Sequence, residues 1–382
     1  MLRSLLNSPS KTIASAAFLI SSTTLLSRFI GVIRDRAFAH YFGIGPVMDA
    51  YYAAFKIPDA IYNLLIVGAL STGFIPIFTS LYTGNKENEA WKLSSTILNL
   101  AGITLALCSL GGIIGAPLIA QLVGPGFDTD TLSLTIRFTR IIFISPVLLG
   151  ISMVLGGILQ SLRYFFTYSI APILYNLGII VGIVVLHPLI GITGIAWGVV
   201  LGALLHTSVQ WYGAYRAGFR WSSVTDFASA HVRTIGKLMI PRTMGLALTQ
   251  LNTVAMSIFA STLTSGSVGA FNLASNIQGV PTGVIGIPFA LAVFPLLSQA
   301  AVRKTGEKTF KELVGSTLRN VIFLIIPITV LFLILRAQII RVLYGSGAFD
   351  WTATITTADA LAFFALGLLG QSCIPLLARA FY

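Results

Sequence analysis

Residues 164 to 215 and 243 to 302 contain no aspartate, glutamate, lysine or arginine. A bilayer crossing needs about 20 predominantly apolar residues, so each stretch is long enough for two. Hydrocarbon offers the backbone no hydrogen bonds, which leaves α-helices and closed barrels as the structures able to span it. Barrel strands alternate apolar and polar positions, whereas these runs are apolar on every side. The chain is therefore expected to be an all-α polytopic membrane protein. Composition agrees: 55% of the 382 residues are hydrophobic and 9% are charged, against roughly 25% charged in soluble domains.

Turn signals divide both runs, at His187 and Pro188 in the first and over the small polar stretch Ser261 to Ser267 in the second. Further runs at 12 to 33, 46 to 83, 92 to 123, 132 to 160, 312 to 335 and 355 to 378 bring the expectation to about ten spans. Cytoplasmic loops carry an excess of lysine and arginine. With the amino terminus inside, those loops collect Lys86 and Lys92, Arg163, Arg216, Arg220, Arg233 and Lys237, then Arg303, Lys304, Lys308 and Lys311. The outer loop Gly124 to Thr131 carries Asp128 and Asp130 and no base, while Arg336 and Arg341 run against the pattern. The apolar run after Arg3 has no small-residue cleavage site before Arg28 and reads as a first crossing rather than a secretion signal.

The charged connection 217–237 separates six spans (1–216, a first lobe) from four (238–382, a partial second lobe). Residues 46 to 83 would form a helix of about 57 Å at 1.5 Å per residue, against a hydrocarbon core of about 30 Å. That span must tilt, break or project, and Pro58 is the expected break. Pro281, flanked by Gly279, Gly283 and Gly286, marks a comparable soft point in the eighth span. Either proline could be a moving hinge or a static kink.

Charges inside a crossing are costly and normally face a protein interior or an aqueous path. They concentrate at the start of the chain: Arg28, Arg34, Asp35 and Arg36 in the first span, Asp49, Lys56 and Asp59 in the second. At 100° per residue Arg28 shares a helical face with Asp35, and Asp49 with Lys56. Two neighbouring helices could thus line one polar cavity in which four bases meet three acids, a surplus that suits an anionic ligand gripped by guanidinium forks. The alternative is pairing near the outer surface with Arg28 snorkelling. Arg242, just after Pro241, is a further candidate base; Arg137, Arg140 and Arg319 lie close enough to helix ends to snorkel, and Asp359 stands apart.

Other classes are disfavoured. The net charge of +12 is spread over separate short loops rather than one face, which argues for membrane orientation and anionic lipid rather than nucleic acid. His40, His187, His206 and His231 are scattered, Cys108 and Cys373 lie in apolar runs, and no metal-ligand spacing or phosphate-cradling glycine loop occurs. No catalytic residue, metal or cofactor is expected, and the 36 glycines suit close helix packing.

The stretch "SRFIGVIRD", Ser27 to Asp35, and "MDAYYAAFKIPDAIYNLLIVGALSTGFIPIF", Met48 to Phe78, resemble the first- and second-helix signatures of the MurJ (MviN) family of lipid II flippases. "LMIPRTMG" and "SGSVGAFNLASNIQGVPTGVIGIPFALAVFPLLS" are similar to its seventh and eighth crossings. The resemblance implies a two-lobed bundle of the MATE-like exporter superfamily that works by alternating access in the bacterial inner membrane. Its partner would be an undecaprenyl-diphosphate-linked cell-wall precursor, besides membrane lipids and the cell-wall synthesis machinery. It assigns Arg28 and Arg34 as diphosphate ligands and Asp35 as their orienter or gate. Lys56 and Arg242 join them as headgroup candidates, with Gly31, Asp49, Pro58 and Pro281 as gating or hinge candidates.

The chain departs from the family pattern at Tyr62, Asn63, Val67 and Asn276, where many or some members carry charged residues. The expected cavity is correspondingly less basic, with Lys56 and Arg242 as compensation. Members usually have fourteen crossings, so the ending "LLARAFY" reads as a truncated second lobe. Exporters of other polyprenyl-linked oligosaccharides or of small molecules, and a non-transporting scaffold, are the competing readings.

Overall fold

Every long apolar run forms helix in the computed structural model, which describes residues 13–67, 73–223, 225–226, 229–302 and 306–381, with side chains from Leu19 onward and not for 301–308. No strand occurs among the described residues. The elements are α1 (Ile13–Phe42), α2 (Pro46–Tyr62), a π-helical turn π1 (Asn63–Val67), α3 (Ile75–Thr83), α4 (Glu87–Ile114), α5 (Ala116–Val123), α6 (Thr129–Ile142) and α7 (Ile144–Ser161). They continue with α8 (Phe165–Val181), π2 (Gly182–Leu186), α9 (His187–Ile190), α10 (Gly194–Arg216), α11 (Ala230–Ser261), α12 (Ser267–Pro281), π3 (Thr282–Gly286), α13 (Ile287–Val302), α14 (Gly306–Ile334), α15 (Arg336–Tyr344) and α16 (Trp351–Ala380). Seven described helical stretches are long and apolar enough to cross a membrane, so the protein is multi-pass. The other three expected crossings are helical along their described residues, but α1, α2 with its continuation, and α10 are not among those seven, and the count of ten goes beyond what length and composition carry.

Two expected breaks move. Helix α2 passes through Pro58 and departs from α geometry only at π1, one turn later. The turn expected at His187 and Pro188 falls at Gly191 instead, whose φ of +76° suits glycine. Pro188 lies inside the continuous helix Phe165–Ile190, just after π2, which ends at Leu186. The stretch between Ser261 and Ser267 is a turn as expected, with Gly266 at φ +93°. Asp128 caps α6, accepting a hydrogen bond from the Thr131 backbone N–H at 3.1 Å, which also holds its carboxyl below the usual carboxylate range.

The chain divides into two compact units: residues 1–38 with 46–265, and 39–45 with 266–382. The division falls at Gly266 rather than in the connection 217–237. That connection is fastened to α4: the indole N–H of Trp221 donates to Asn99 Oδ1 at 2.8 Å, Asn99 Nδ2 donates to Ser222 O at 3.0 Å, and Lys92 pairs with Asp226 at 3.5 Å. The start of α11 then buries Ile235 in a core with Phe78, Leu93, Leu105 and Leu155.

In the first unit α8 and π2 pack face to face with α10 along glycines. A methyl group on Gly178 would collide with Gly202, and one on Gly198 with Gly182. With no hydrophobic drive between helices in lipid, such close approach supplies the packing energy. In the second unit α12 and α14 pack on α16. There π3 lies against α16: a methyl on Gly286 would sit 2.7 Å from Ser372 O, and Gln278 Nε2 donates to Gln371 Oε1 at 2.7 Å. Gly198→Leu is expected to cost about 1–3 kcal/mol by overpacking, read as a lowered midpoint of thermal unfolding in detergent. Gly370→Ala, with nothing within 4 Å of the added methyl, is expected to unfold no earlier than the parent.

Candidate functional site

Helix α1 runs unbroken from Ile13 to Phe42 and carries Ser27, Gly31, Arg34 and Asp35 toward α8. The Arg34 guanidinium donates from both Nε and a terminal nitrogen to Asp35 Oδ1, at 2.9 and 2.6 Å, and from its other terminal nitrogen to Asn176 Oδ1 at 2.8 Å. Asn176 is held in turn, its Nδ2 donating to Pro172 O at 3.1 Å and to Ser27 Oγ at 3.5 Å. Pro172 has no N–H for its own helical bond, but its carbonyl is available one turn before Asn176. Both ionised groups are largely withdrawn from solvent, with side-chain exposures of 24% for Arg34 and 5% for Asp35.

Pairing makes that withdrawal tolerable, since an unpaired buried charge is among the most destabilising features a fold can carry. A guanidinium has five N–H donors, and Arg34 commits three of them to Asp35 and Asn176. The remaining two have no hydrogen-bond partner among the described residues. Phe38 and Tyr51 meet in a tilted contact with ring centroids 4.5 Å apart and join α1 to α2 beside this cluster.

The other candidates take different places. Arg28 does not join Arg34; it lines a separate hollow with Thr24, Tyr168, His206 and Gln210. Asp49 is buried in the first turn of α2, where the helix dipole favours a carboxylate. Lys56 is half-buried in mid α2, and Asp59 one turn on is exposed. Arg242 is exposed on α11 without an ion pair among the described residues, while its neighbour Thr243 donates to Leu64 O of π1 at 3.1 Å. Gly31 interrupts nothing in α1, and a methyl there would lie an ordinary 4.0 Å from Asn176 Oδ1. Pro58 and Pro281 are both buried, the first within α2 and the second as the last residue before π3. Asp359 is not alone, pairing with Arg336 at 3.6 Å.

Sequence reasoning missed Asn176, Gln210 and the role of His206, whose Nδ1 meets Ser152 Oγ at 2.7 Å. All three lie in the run read as uncharged. A search for polar residues inside that run would have found them. Among the described residues no group of three or more metal-ligating side chains comes together.

The profile of "Lipid II flippase MurJ" matches residues 38–382. The chain belongs to the MurJ family. A probable lipid II flippase MurJ from Rhizobium tropici is 29% identical over 95% of this chain and 69% of its own length. A lipid II flippase MurJ from Burkholderia cenocepacia is 28% identical over 96% and 72%. Among solved structures, a lipid II flippase MurJ in an inward closed conformation aligns with TM-score 0.80 and 25% identity, covering 95% of this chain and 75% of that one. An inward-facing multidrug resistance MATE family transporter of the MOP superfamily aligns with TM-score 0.70 at 13% identity over 96% and 85%, which establishes the MATE-like fold. The profile match begins after Asp35, while the two relatives align over 95% and 96% of the chain, a share that spans Arg28, Arg34 and Asp35.

Asn176→Leu is expected to leave a guanidinium N–H of Arg34 unpaired and to lower stability by about 1.5–3 kcal/mol, measured by chemical or thermal unfolding in detergent. Gly31→Ala is expected to stay within about 0.5 kcal/mol of the parent.

Proposed function

We propose that this chain moves lipid II, the undecaprenyl-diphosphate-linked peptidoglycan precursor, from the inner to the outer leaflet of the bacterial inner membrane by alternating access, its amino terminus cytoplasmic. Family membership supports the cargo. The observation that carries the chemistry is the Arg34 guanidinium, held by Asp35 and Asn176 with two N–H donors uncommitted. Stripping water from a diphosphate costs on the order of tens of kcal/mol by Born solvation in a medium of low dielectric. Fixed donors on a pre-oriented guanidinium replace part of that lost hydration without reorganising, and they match the planar spread of phosphate oxygens.

In this reading Arg34 grips the diphosphate, Asp35 fixes the plane of the guanidinium, and Lys56 and Arg242 add positive charge along the path. Asp35 also keeps the net charge of the cluster near zero while no substrate is bound, so that binding and release stay balanced. The membrane potential can drive the cycle through the charge carried, at about 2.3 kcal/mol per elementary charge per 100 mV. Tyr62, Asn63 and Val67 are uncharged where the family resemblance leads to an expectation of charge, which favours a cargo with a differently charged headgroup as the second reading.

Reconstitution into vesicles with labelled lipid II and, in parallel, a polyprenyl-diphosphate carrying another oligosaccharide separates the two. Transfer of lipid II is expected to fall roughly 10- to 100-fold in Arg34→Ala, the worth of one or two charge-assisted hydrogen bonds. Undiminished transfer in that variant, or transfer of the second lipid alone, overturns the assignment.

A further inference from the structure

Two hollows stack along the seam between α4 and the start of α11, within the first unit, and Val232 lines both. One is apolar, about 240 Å³, walled by Leu65 and Ile66 of π1, Ile97 and Leu105 of α4, Val154 of α7 and Ile235 of α11; Thr104 brings the only hydroxyl to its lining. The other is polar, about 220 Å³, with Glu89, Lys92 and Thr96 of α4 facing Asp226, Ser229 and His231. Glu89 pairs with Lys86 at 3.4 Å and Lys92 with Asp226 at 3.5 Å, and these four side chains are 40–60% exposed. Exposed pairs of this kind contribute little, so both can reopen around a charged ligand.

Helix α4 is one of the stretches long and apolar enough to cross a membrane, and it fixes the depth of the two hollows. The polar one lies in its first three turns, at the level of lipid headgroups. The apolar one follows α4 over residues 97–105, about 12 Å at 1.5 Å per residue, against about 15 Å for half of a hydrocarbon core of about 30 Å. A gap between packed helices forfeits dispersion contacts until something fills it, and at that depth the filler at hand is one leaflet's hydrocarbon. Gly236 leaves the wall open on the α11 side, since a methyl added there meets nothing within 4 Å. Each hollow alone is smaller than the roughly 300–1,000 Å³ of a ligand pocket, and joined they reach that range.

We infer that the paired hollows bind one phospholipid with an ethanolamine-type headgroup, its headgroup in the polar hollow and one acyl chain in the apolar one. The mixed charge of the polar lining selects a zwitterion: Glu89 and Asp226 receive the ammonium, Lys92 and His231 the phosphate. A purely anionic headgroup would face two carboxylates, and a choline headgroup has no N–H to offer them. The far end of the acyl chain lies against Leu65 and Ile66, next to Leu64, whose carbonyl accepts from Thr243 of α11 at 3.1 Å. The bound lipid therefore braces the junction of π1 with α11, as any ligand that binds only the folded arrangement stabilises it. The inference does not depend on which lipid is carried, because no transport step enters its test.

The test places the purified protein in phosphatidylglycerol nanodiscs doped with a phosphatidylethanolamine that carries a photoactivatable group in one acyl chain, and maps the adducts by peptide mass spectrometry. Adducts are expected within residues 97–105 and 232–239. Unlabelled phosphatidylethanolamine is expected to displace the probe roughly 10-fold better than phosphatidylcholine, the worth of one charge-assisted hydrogen bond. Gly236→Leu, which sets a side chain in the apolar hollow, is expected to cut the adducts about 10-fold or more by taking up the space. Glu89→Gln combined with Asp226→Asn is expected to abolish the preference over phosphatidylcholine. Thermal unfolding of each variant verifies its fold, and the competition in the unmutated protein decides the matter without them. Adducts spread evenly over the lipid-facing helices, equal competition by the two lipids in the unmutated protein, or labelling undiminished in a folded Gly236→Leu protein overturns the inference.

Discussion

A guanidinium placed inside a bundle of apolar helices has to find partners there, and the way Arg34 does so organises the first unit. Asp35, its neighbour in sequence, supplies the counter-charge through one oxygen. Asn176, far along the chain, supplies a neutral acceptor. The pair alone would neutralise the charge; the amide adds direction, because it holds one edge of the planar group and leaves the remaining donors pointing away from it. A charge neutralised but not fully hydrogen-bonded is poised to bind an anion at modest cost, since no new charge has to be buried unpaired.

Asn176 can hold that edge only if α8 is placed to within a fraction of an ångström, and the glycines do this. Gly178 and Gly182 on one side and Gly198 and Gly202 on the other let α8, π2 and α10 touch backbone to backbone, with Gly178 only two residues beyond Asn176. The same contact sets His206 and Gln210 of α10 around the hollow behind Arg28. Prolines work on a coarser scale. Each of the π-helical turns lies in a span that contains proline, and the irregular backbone they leave is used: Leu64 O of π1 accepts from Thr243, and π3 nests against Ser372. Irregular backbone at membrane depth is tolerated where protein covers it in this way.

Much of this is legible in the residues themselves. Charge-free runs and the spacing of turns place the helices, because length and hydrophobicity alone decide what can cross a bilayer. The Arg34 and Asp35 pair is visible as adjacent opposite charges in a segment where charge is costly. The partition of the arginines is not. A helical wheel sets Arg28 beside Asp35, yet Arg34 reaches Asp35 from the next position and Arg28 turns to another hollow, since long flexible side chains choose partners by reach rather than by angle. Asn176, Gln210 and His206 stay hidden because nothing local separates a polar residue in a crossing that packs against lipid-facing neighbours from one that meets a guanidinium across the bundle. The bend near Pro58 misleads for a similar reason: proline marks where a helix can yield, while packing by α11 and π1 decides where it does.

The central claim is that Arg34, oriented by Asp35 and Asn176, is where the diphosphate of the cargo is held. An experimental structure of the protein in nanodiscs with lipid II bound tests this most directly. The account expects diphosphate oxygens within about 3 Å of the Arg34 terminal nitrogens, with the bond to Asn176 retained. Lipid II density whose diphosphate rests elsewhere, with the Arg34 cluster unchanged and untouched, would contradict it.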